Sequence, residues 1–566
     1  MKQTSMILMS DFYKQAHAEQ YPKGITKLIS YATARMSRVP KDMCGDKLTV
    51  FGIQSYIKDF LIERFNETFF NVPLEQAMKE YNEIIGPTFP IQYVNTGKFE
   101  ALHKLGYLPV EISCLPEGTR VPIRSAYELP EGQCQVPFMS IVNTHPDFPW
   151  ITEFLESVTS SEVWYPMAIA NQAYYYRQIV NKWYDKTGCD KTARKSAISE
   201  FGFRGGEGSD AAVKASSAFL TSFNKTATIP AIKYIHDYYG DPVGEIGGGM
   251  ISTEHSVMCS NYAVDSEKGG DEADFLFRLF TEIYPAGALS VVMDSYDYWE
   301  NLSGCGMGDM KKAIMNREGT VFFRGDSGDP VDIICGEQPR KFRDFSEVNT
   351  RIAKGDLPKL VEINNEIFRM KDKGDGDFTW EKEENSVELL GTVGLLWEMF
   401  GGTVNEAGYK VLDKHVRAIY GDSITPKRAD EIYRRLADKG FAASNVALGA
   451  GSFSTQCIES LDGRLLPFTR DTHGIAVKAT WCMNEDTGRE YQVFKNPKTD
   501  TGKFKKSQKG LVYVTEDEKG EIIALDGFTS KDIPKYNMLQ PVFRDGKMLK
   551  ETTLNEVRQR LHNNNF

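Results

Sequence analysis

The sequence predicts an α/β protein built around a parallel barrel, and three observations predict it. Near-continuous apolar runs over 288–295, 320–330, 415–423 and 444–452 each end in a polar or glycine corner. Runs of that kind suit strands buried on both faces of a parallel sheet. Three of the corners carry the same dipeptide, Asp294-Ser295, Asp326-Ser327 and Asp422-Ser423. Polar residues gathered at the carboxyl ends of parallel strands mark the working face of a barrel. The third corner also leads into a well-punctuated helix, with Thr425 as N-cap, Pro426 at the first helical position and Gly440 as the stop. Asp and Ser are themselves favoured caps, so each corner taken alone reads equally well as a helix cap.

A chain of 566 residues suggests about three or four structural units, fewer if one is a barrel. Residues 1–160 mix short strands and helices and read as an N-terminal α+β domain. Within it, 107–118 alternates and ends in a turn, as a half-buried strand does. The segment 72–87 is helical and is expected to stop at Gly86-Pro87. Residues 161–480 read as the barrel, helix-rich at first over 166–187 and interrupted by a charged insertion over 336–386. The stretch 371–377 in that insertion reads as an exposed loop. Residues 481–566 are expected to pack back on the N-terminal domain and to end in a short helix, with a capping box from Thr553 to Glu556. Six lysines crowd 495–509; a solvated loop or a phosphate-holding flap suits them.

Composition excludes several classes. Apolar residues at 41% and charged residues at 26% are an ordinary globular mixture, which excludes wholesale disorder. A net charge of −11 disfavours a general nucleic-acid binder. Nine cysteines, none spaced C-x-x-C, point to a reducing compartment and away from a zinc site or a disulfide frame. The N-terminal apolar stretch is too short for a signal core, and no run approaches a membrane span. A cytoplasmic location is expected, in the host cytoplasm if the chain is phage-encoded, with no nucleic-acid or membrane partner.

Four motifs bear on chemistry. Phe201-Gly202-Phe203-Arg204-Gly205 joins rings that stack, glycines that admit a ligand and a cation that forks onto phosphate. A tight structural turn is the plainer reading. Glu254-His255 sets a histidine beside a carboxylate, a pairing suited to proton or phosphoryl transfer; a hydrogen-bonded core histidine is the alternative. Arg324-Gly325-Asp326-Ser327-Gly328-Asp329 mixes cation, anion and glycine, which suits a sugar phosphate. Gly449-Ala450-Gly451-Ser452 follows a strand and offers backbone N–H groups to an anion, with Arg470 and Lys478 downstream.

Taken in order, these pieces resemble the type II phosphoribosyltransferases, and among them the nicotinamide phosphoribosyltransferase family. The resemblance runs from Asp11-Phe12-Tyr13-Lys14, through Trp164-Tyr165-Pro166, the Phe201 motif, Glu254-His255, Asp294-Ser295-Tyr296-Asp297 and the Arg324 motif, to Gly421-Asp422 and Thr469-Arg470-Asp471. It implies a type II phosphoribosyltransferase-like α/β barrel with an added N-terminal α+β domain to which C-terminal segments contribute. It also implies a homodimer with shared active sites. Phe201 and Tyr13 of the partner subunit would sandwich a pyridine ring. Arg204, Asp294, Arg324 and Asp326 would line the ring, ribose and pyrophosphate sites, with Asp11, Gly421, Asp422, Gly451 and Ser452 also binding substrate. Arg35, Arg470, Lys478, Lys495 and Lys503 would hold phosphates. His255, with Glu254 beside it, would be phosphorylated by ATP, and Mg²⁺ would serve the pyrophosphate; its ligands are not readable. The activity implied is transfer of phosphoribose from phosphoribosyl pyrophosphate to nicotinamide, in NAD salvage.

Two departures from the family pattern matter. Ala227 stands where an aspartate usually meets the carboxamide. The phosphate loop reads Gly449-Ala450-Gly451-Ser452-Phe453 in place of a glycine-rich one, and Thr469 follows only after an extended segment. A remodelled 5′-phosphate end would suit an alternative donor, ADP-ribose pyrophosphate, with NAD as product. Two other classes are a glycoside hydrolase using Asp294 and Asp326, and a non-catalytic nucleotide sensor suggested by Ala227.

Overall fold

The computed structural model describes residues 3–126, 128–374, 377–384, 386–460, 462–495 and 507–566. The chain divides into two units, one formed by 1–175, 202–248 and 454–566, the other by 176–201 and 249–453. Among the described residues, no helix is long and apolar enough to cross a membrane.

The first unit is built on a seven-stranded antiparallel sheet. Its order is Arg489–Gln492, Ile475–Asn484, Lys27–Ala34, Pro137–Asn143, Val110–Cys114, Gln540–Arg544 and Lys547–Met548. Three strands from the N-terminal part of the chain therefore form the centre of the sheet, flanked on each side by two strands from the C-terminal part. Val110–Cys114 alternates buried and half-buried side chains, the period of a strand with one face on the core. That core runs from Met6 and Ile7 through Phe99 and Ile141 to Val477, Val514 and Phe543. The expected helix at 72–87 runs Leu74–Thr88 and takes Pro87 inside its last turn. A proline there has no N–H to donate to the carbonyl four residues back, and the helix ends one residue later. The closing helix Leu554–Leu561 has the expected capping box between Thr553 and Glu556. From it, buried Arg558 donates to the carbonyls of Leu220, Phe223, Glu245 and Ile246, fixing the 220–246 backbone of the same unit.

The second unit carries a six-stranded, wholly parallel sheet: β1 (Ile198–Glu200), β2 (Ile251–Ser252), β3 (Leu289–Val292), β4 (Val321–Gly325), β5 (Val416–Tyr420) and β6 (Val446–Ala450). The spatial order is β1-β6-β5-β4-β3-β2, so the first strand pairs with the last. This is the circular order of a barrel that stays open between β1 and β2. The four apolar runs of the sequence are β3 to β6. β3, β5 and β6 are almost wholly buried. Helices α1 (His255–Ser266), α2 (Tyr298–Cys305), α3 (Pro330–Cys335) and α4 (Pro426–Asp438) follow β2, β3, β4 and β5. Helix α4 is capped by Thr425, begins at Pro426 and is followed by Gly440 at φ +78, as its sequence predicts.

Most described residues of 336–386 lie in regular elements. A sheet ordered Arg340–Lys341, Leu360–Ile363, Glu366–Gly374 and Asp377–Glu383 packs with the helix Phe345–Ile352 around Val348, Val361 and Ile363. The loop expected over 371–377 is instead mostly strand. The two long strands pair through Lys371 and Thr379 and through Gly374 and Asp377. Residues 371–374 end one of these strands and Asp377 begins the other.

Candidate active site

Because all six strands of the open barrel are parallel, every strand-end corner falls on one edge of the sheet. Phe201 follows β1, Thr253-Glu254-His255 follows β2, and Asp294 follows β3. Asp326 follows β4, Gly421-Asp422 follows β5 and Gly451 follows β6. Backbone bonds lock the corners in register, with Met293 N–H on Arg324 O at 2.9 Å and Phe201 N–H on Ala450 O at 2.8 Å.

The Asp-Ser corners do not cap helices. Helix α2 is capped by Asp297, α3 by Asp329 and α4 by Thr425, each through its side chain. Every cap stands three residues beyond the corner aspartate. Asp294, Asp326 and Asp422 are thereby released from capping.

Asp294 is the hub. One carboxylate oxygen lies 3.1 Å from His255 Nε2; the other accepts the Asp326 N–H at 3.0 Å and the Ser327 hydroxyl. Burial works against its charge, but the bonds from Ser327, Asp326 and His255 outweigh burial and hold the carboxyl below the ordinary aspartate range. Asp294 therefore stays ionised and accepts the Nε2 proton of His255. That fixes the tautomer and leaves Nδ1 with the lone pair. His255 opens α1, where Glu254 provides no side-chain cap, so the amides of His255 and Ser256, unbonded among the described residues, remain open to an anion.

Asp326 is shifted the other way. Burial chiefly raises its pKa, and the neighbouring Asp294 and Asp422 charges add to this against the pull of Arg324 and His255. Arg324 donates from Nη2 to Thr253 O at 3.0 Å, while its Nε is buried without a hydrogen-bond partner among the described residues. Thr253 also accepts the Val292 N–H through its hydroxyl at 2.9 Å, tying β2 to β3 beneath the site.

The aromatic member is Phe201. A Cβ at Gly449 would stand 2.2 Å from its ring, and one at Gly421 would stand 2.9 Å from it and 3.9 Å from Asp326 Oδ1. The ring thus lies on two glycines that only an absent side chain leaves clear. Gly451 and Ser452 follow β6 at its corner, with Ser452 opening a single helical turn, Ser452–Thr455.

The remaining candidates belong to the first unit. There Asp11, Tyr13, Glu156, Ser157, Ser160, Ser161, Trp164 and Arg470 line a cavity of about 280 Å³. Tyr13 is 56% exposed, and Asp11 accepts a hydrogen bond from Ser157. Lys478 is ion-paired with Glu156 at 2.8 Å. Arg35 donates to Gly474 O at 3.3 Å. Lys495 is exposed, and its backbone bonds to Ser507. Arg204 is exposed in the short turn Phe203–Gly205. Ala227 is exposed just before Thr228, which precedes the helix Ile229–Tyr239. Lys503 lies outside the described residues. Sequence reasoning named Ser327 and Gly449 only as members of their motifs and assigned no contact to them or to Thr253. A second acid or hydroxyl three residues beyond each corner was the available signal that the corners were not caps.

Among the described residues, no three His, Cys, Asp or Glu side chains gather as a metal cage. Mg²⁺ arriving with a pyrophosphate needs only one or two carboxylates besides the phosphate oxygens. Asp326, whose carboxylate accepts no hydrogen bond from a described residue, fits that donor set.

A parallel barrel edge that gathers acids, a guanidinium and a ring defines an enzyme of the α/β-barrel class. The chain matches the nicotinate phosphoribosyltransferase family over residues 196–563 and the nicotinamide phosphoribosyltransferase N-terminal domain over residues 5–112. It is 36% identical to the nicotinamide phosphoribosyltransferase of Acinetobacter baylyi, covering 97% of this chain and 96% of that one. It is 27% identical to the protein of that name from Xanthomonas campestris pv. campestris, over 98% and 97%. The Mycoplasma pneumoniae protein of that name is 24% identical, over 88% and 93%. The chain belongs to the nicotinate phosphoribosyltransferase family and is a pentosyltransferase.

Proposed function

We propose that the protein transfers phosphoribose from phosphoribosyl pyrophosphate to nicotinamide, giving nicotinamide mononucleotide and pyrophosphate in NAD salvage. The observation that carries this is the meeting of Phe201, Arg324 and Asp326 at one edge of the parallel sheet, in a chain whose full-length relatives bear the nicotinamide enzyme's name.

The reaction breaks the anomeric C–O bond and forms a C–N bond to the ring nitrogen. Phe201 holds the flat ring, and a neutral nitrogen nucleophile needs position more than deprotonation. As the C–O bond stretches the sugar carbon becomes cation-like, and the Asp326 carboxylate, together with charged Asp294, stabilises it. Arg324 meets the charge gathering on the leaving pyrophosphate. Asp326 would hold Mg²⁺, which would supply charge neutralisation on that pyrophosphate. His255, presented by Asp294 with Nδ1 free, accepts the terminal phosphoryl group of ATP, whose bond to ADP breaks as the N–P bond forms. Two chains associate as a homodimer and complete each site with residues of the partner subunit.

The test is incubation with nicotinamide and Mg²⁺ plus either phosphoribosyl pyrophosphate or ADP-ribose pyrophosphate. Mononucleotide from the first donor is expected. NAD from the second donor, with no product from the first, overturns the assignment.

A further inference from the structure

Helix α1 carries more than His255 on its working face. Cys259 and Tyr262 stand four and seven residues on, so all three share one side of the helix. The corner after β3 meets that side twice. Asp294 binds His255, and two residues further Tyr296 sets its ring 4.5 Å from the ring of Tyr262 at 45°. Tyr296 is 55% exposed, although a side chain of this size ordinarily buries most of its ring. The established contacts of the corner do not require an aromatic there: Asp294 makes the polar bonds and Asp297 caps α2.

We propose that Tyr296, backed by Tyr262, is the stacking platform for the base of the nucleotide that phosphorylates His255. The proposal rests on the phosphohistidine reading above and adds to it where the base goes. Geometry supplies the reach. At about 1.5 Å of rise per residue, Tyr262 lies roughly 10 Å along α1 from His255. A ribose and triphosphate spans that order of distance, so the terminal phosphorus meets the open helix N-terminus at His255 while the base lies on the exposed Tyr296 ring. Stacking on an aromatic ring tolerates any base, so the platform selects for a nucleotide without reading which one.

Equilibrium binding of ATP and of inorganic tripolyphosphate to the full chain tests this, using Tyr296→Ala, Tyr296→Phe and Tyr262→Ala. Loss of the ring is expected to weaken ATP about tenfold. Tripolyphosphate, which has no base, should bind all variants equally, and Tyr296→Phe should match the unaltered protein with both probes. Unchanged ATP affinity in Tyr296→Ala overturns the platform. So does an equal loss of ATP and tripolyphosphate, which would mean that the corner itself had been damaged. Acid-labile labelling of His255 from γ-labelled ATP separates the two ideas. Should the unaltered protein take no label while Tyr296→Ala still weakens ATP selectively, the platform stands and the phosphohistidine reading falls.

Discussion

His255 Nε2 lies 3.1 Å from Asp294 Oδ1, and this bond joins the corners after β2 and β3 across 39 residues of chain. The other oxygen of the same carboxylate holds the corner after β4 through Asp326 and Ser327. One side chain thus orders three strand ends. It also orients a ring nitrogen, because an ionised acceptor leaves His255 a single productive tautomer.

Asp294→Asn keeps the shape and removes the charge. The amide no longer compels Nε2 to carry the proton, so phosphoryl transfer from ATP to His255 is expected to fall by roughly 10²-fold or more. Label incorporation at His255 is the measurement. Full labelling in this variant would remove Asp294 from the orienting role.

Asp326 presents the opposite case for stability. Its carboxyl is pushed up on folding, so the folded protein binds that proton more tightly than the unfolded chain does. Stability is therefore lost as pH rises through the folded value. Asp326→Asn is expected to melt above the unaltered protein at neutral pH, with the gap closing below about pH 4, where the unfolded carboxyl is itself protonated. Turnover in the same variant should drop by about 10²- to 10³-fold. A lower melting temperature at neutral pH contradicts the account.

Gly449 and Gly451 form an internal comparison. A methyl at 449 would stand 2.2 Å from the Phe201 ring, whereas one at 451 meets nothing within 4 Å. Gly449→Ala should displace Phe201 and raise KM for the pyridine base at least tenfold, while Gly451→Ala should leave it within about twofold. Equal behaviour of the two variants would show that the Phe201 ring does not hold the base.

His473, in the first unit, is buried with Nδ1 3.2 Å from the Ser37 hydroxyl. Burial, and then the nearby Arg120 charge, lowers its pKa to about 3. An unfolded histidine titrates near about 6.5, so between those values the unfolded chain binds the extra proton. The contribution of His473 is full above about pH 6.5 and is lost as pH falls toward 3. His473→Gln should flatten the loss of melting temperature between pH 7 and pH 5. A slope as steep as in the unaltered protein would place the acid sensitivity elsewhere.

Much of the barrel was legible because its signals are local. Apolar runs, Thr425-Pro426 and Gly440 act within a few residues of themselves, and each reappears as strand, cap or stop. The strand residues 371–374 and Asp377 were not legible, since charged residues beside Gly and Asp read as a loop. The corner aspartates were read as either caps or site residues. The deciding residues, Asp297, Asp329 and Thr425, stood in plain view three positions on.

The sequence by itself determined the parallel strands, the polar residues at their carboxyl ends and the likeness to a pyridine phosphoribosyltransferase, for these follow from periodicity, turn chemistry and residue order. Tertiary structure alone decided that Asp294 would serve three corners, that Phe201 would rest on Gly421 and Gly449, and that Tyr296 would meet Tyr262. Those contacts depend on which strands become neighbours and in what register, and that is set by burial of the whole sheet rather than by any short stretch of chain.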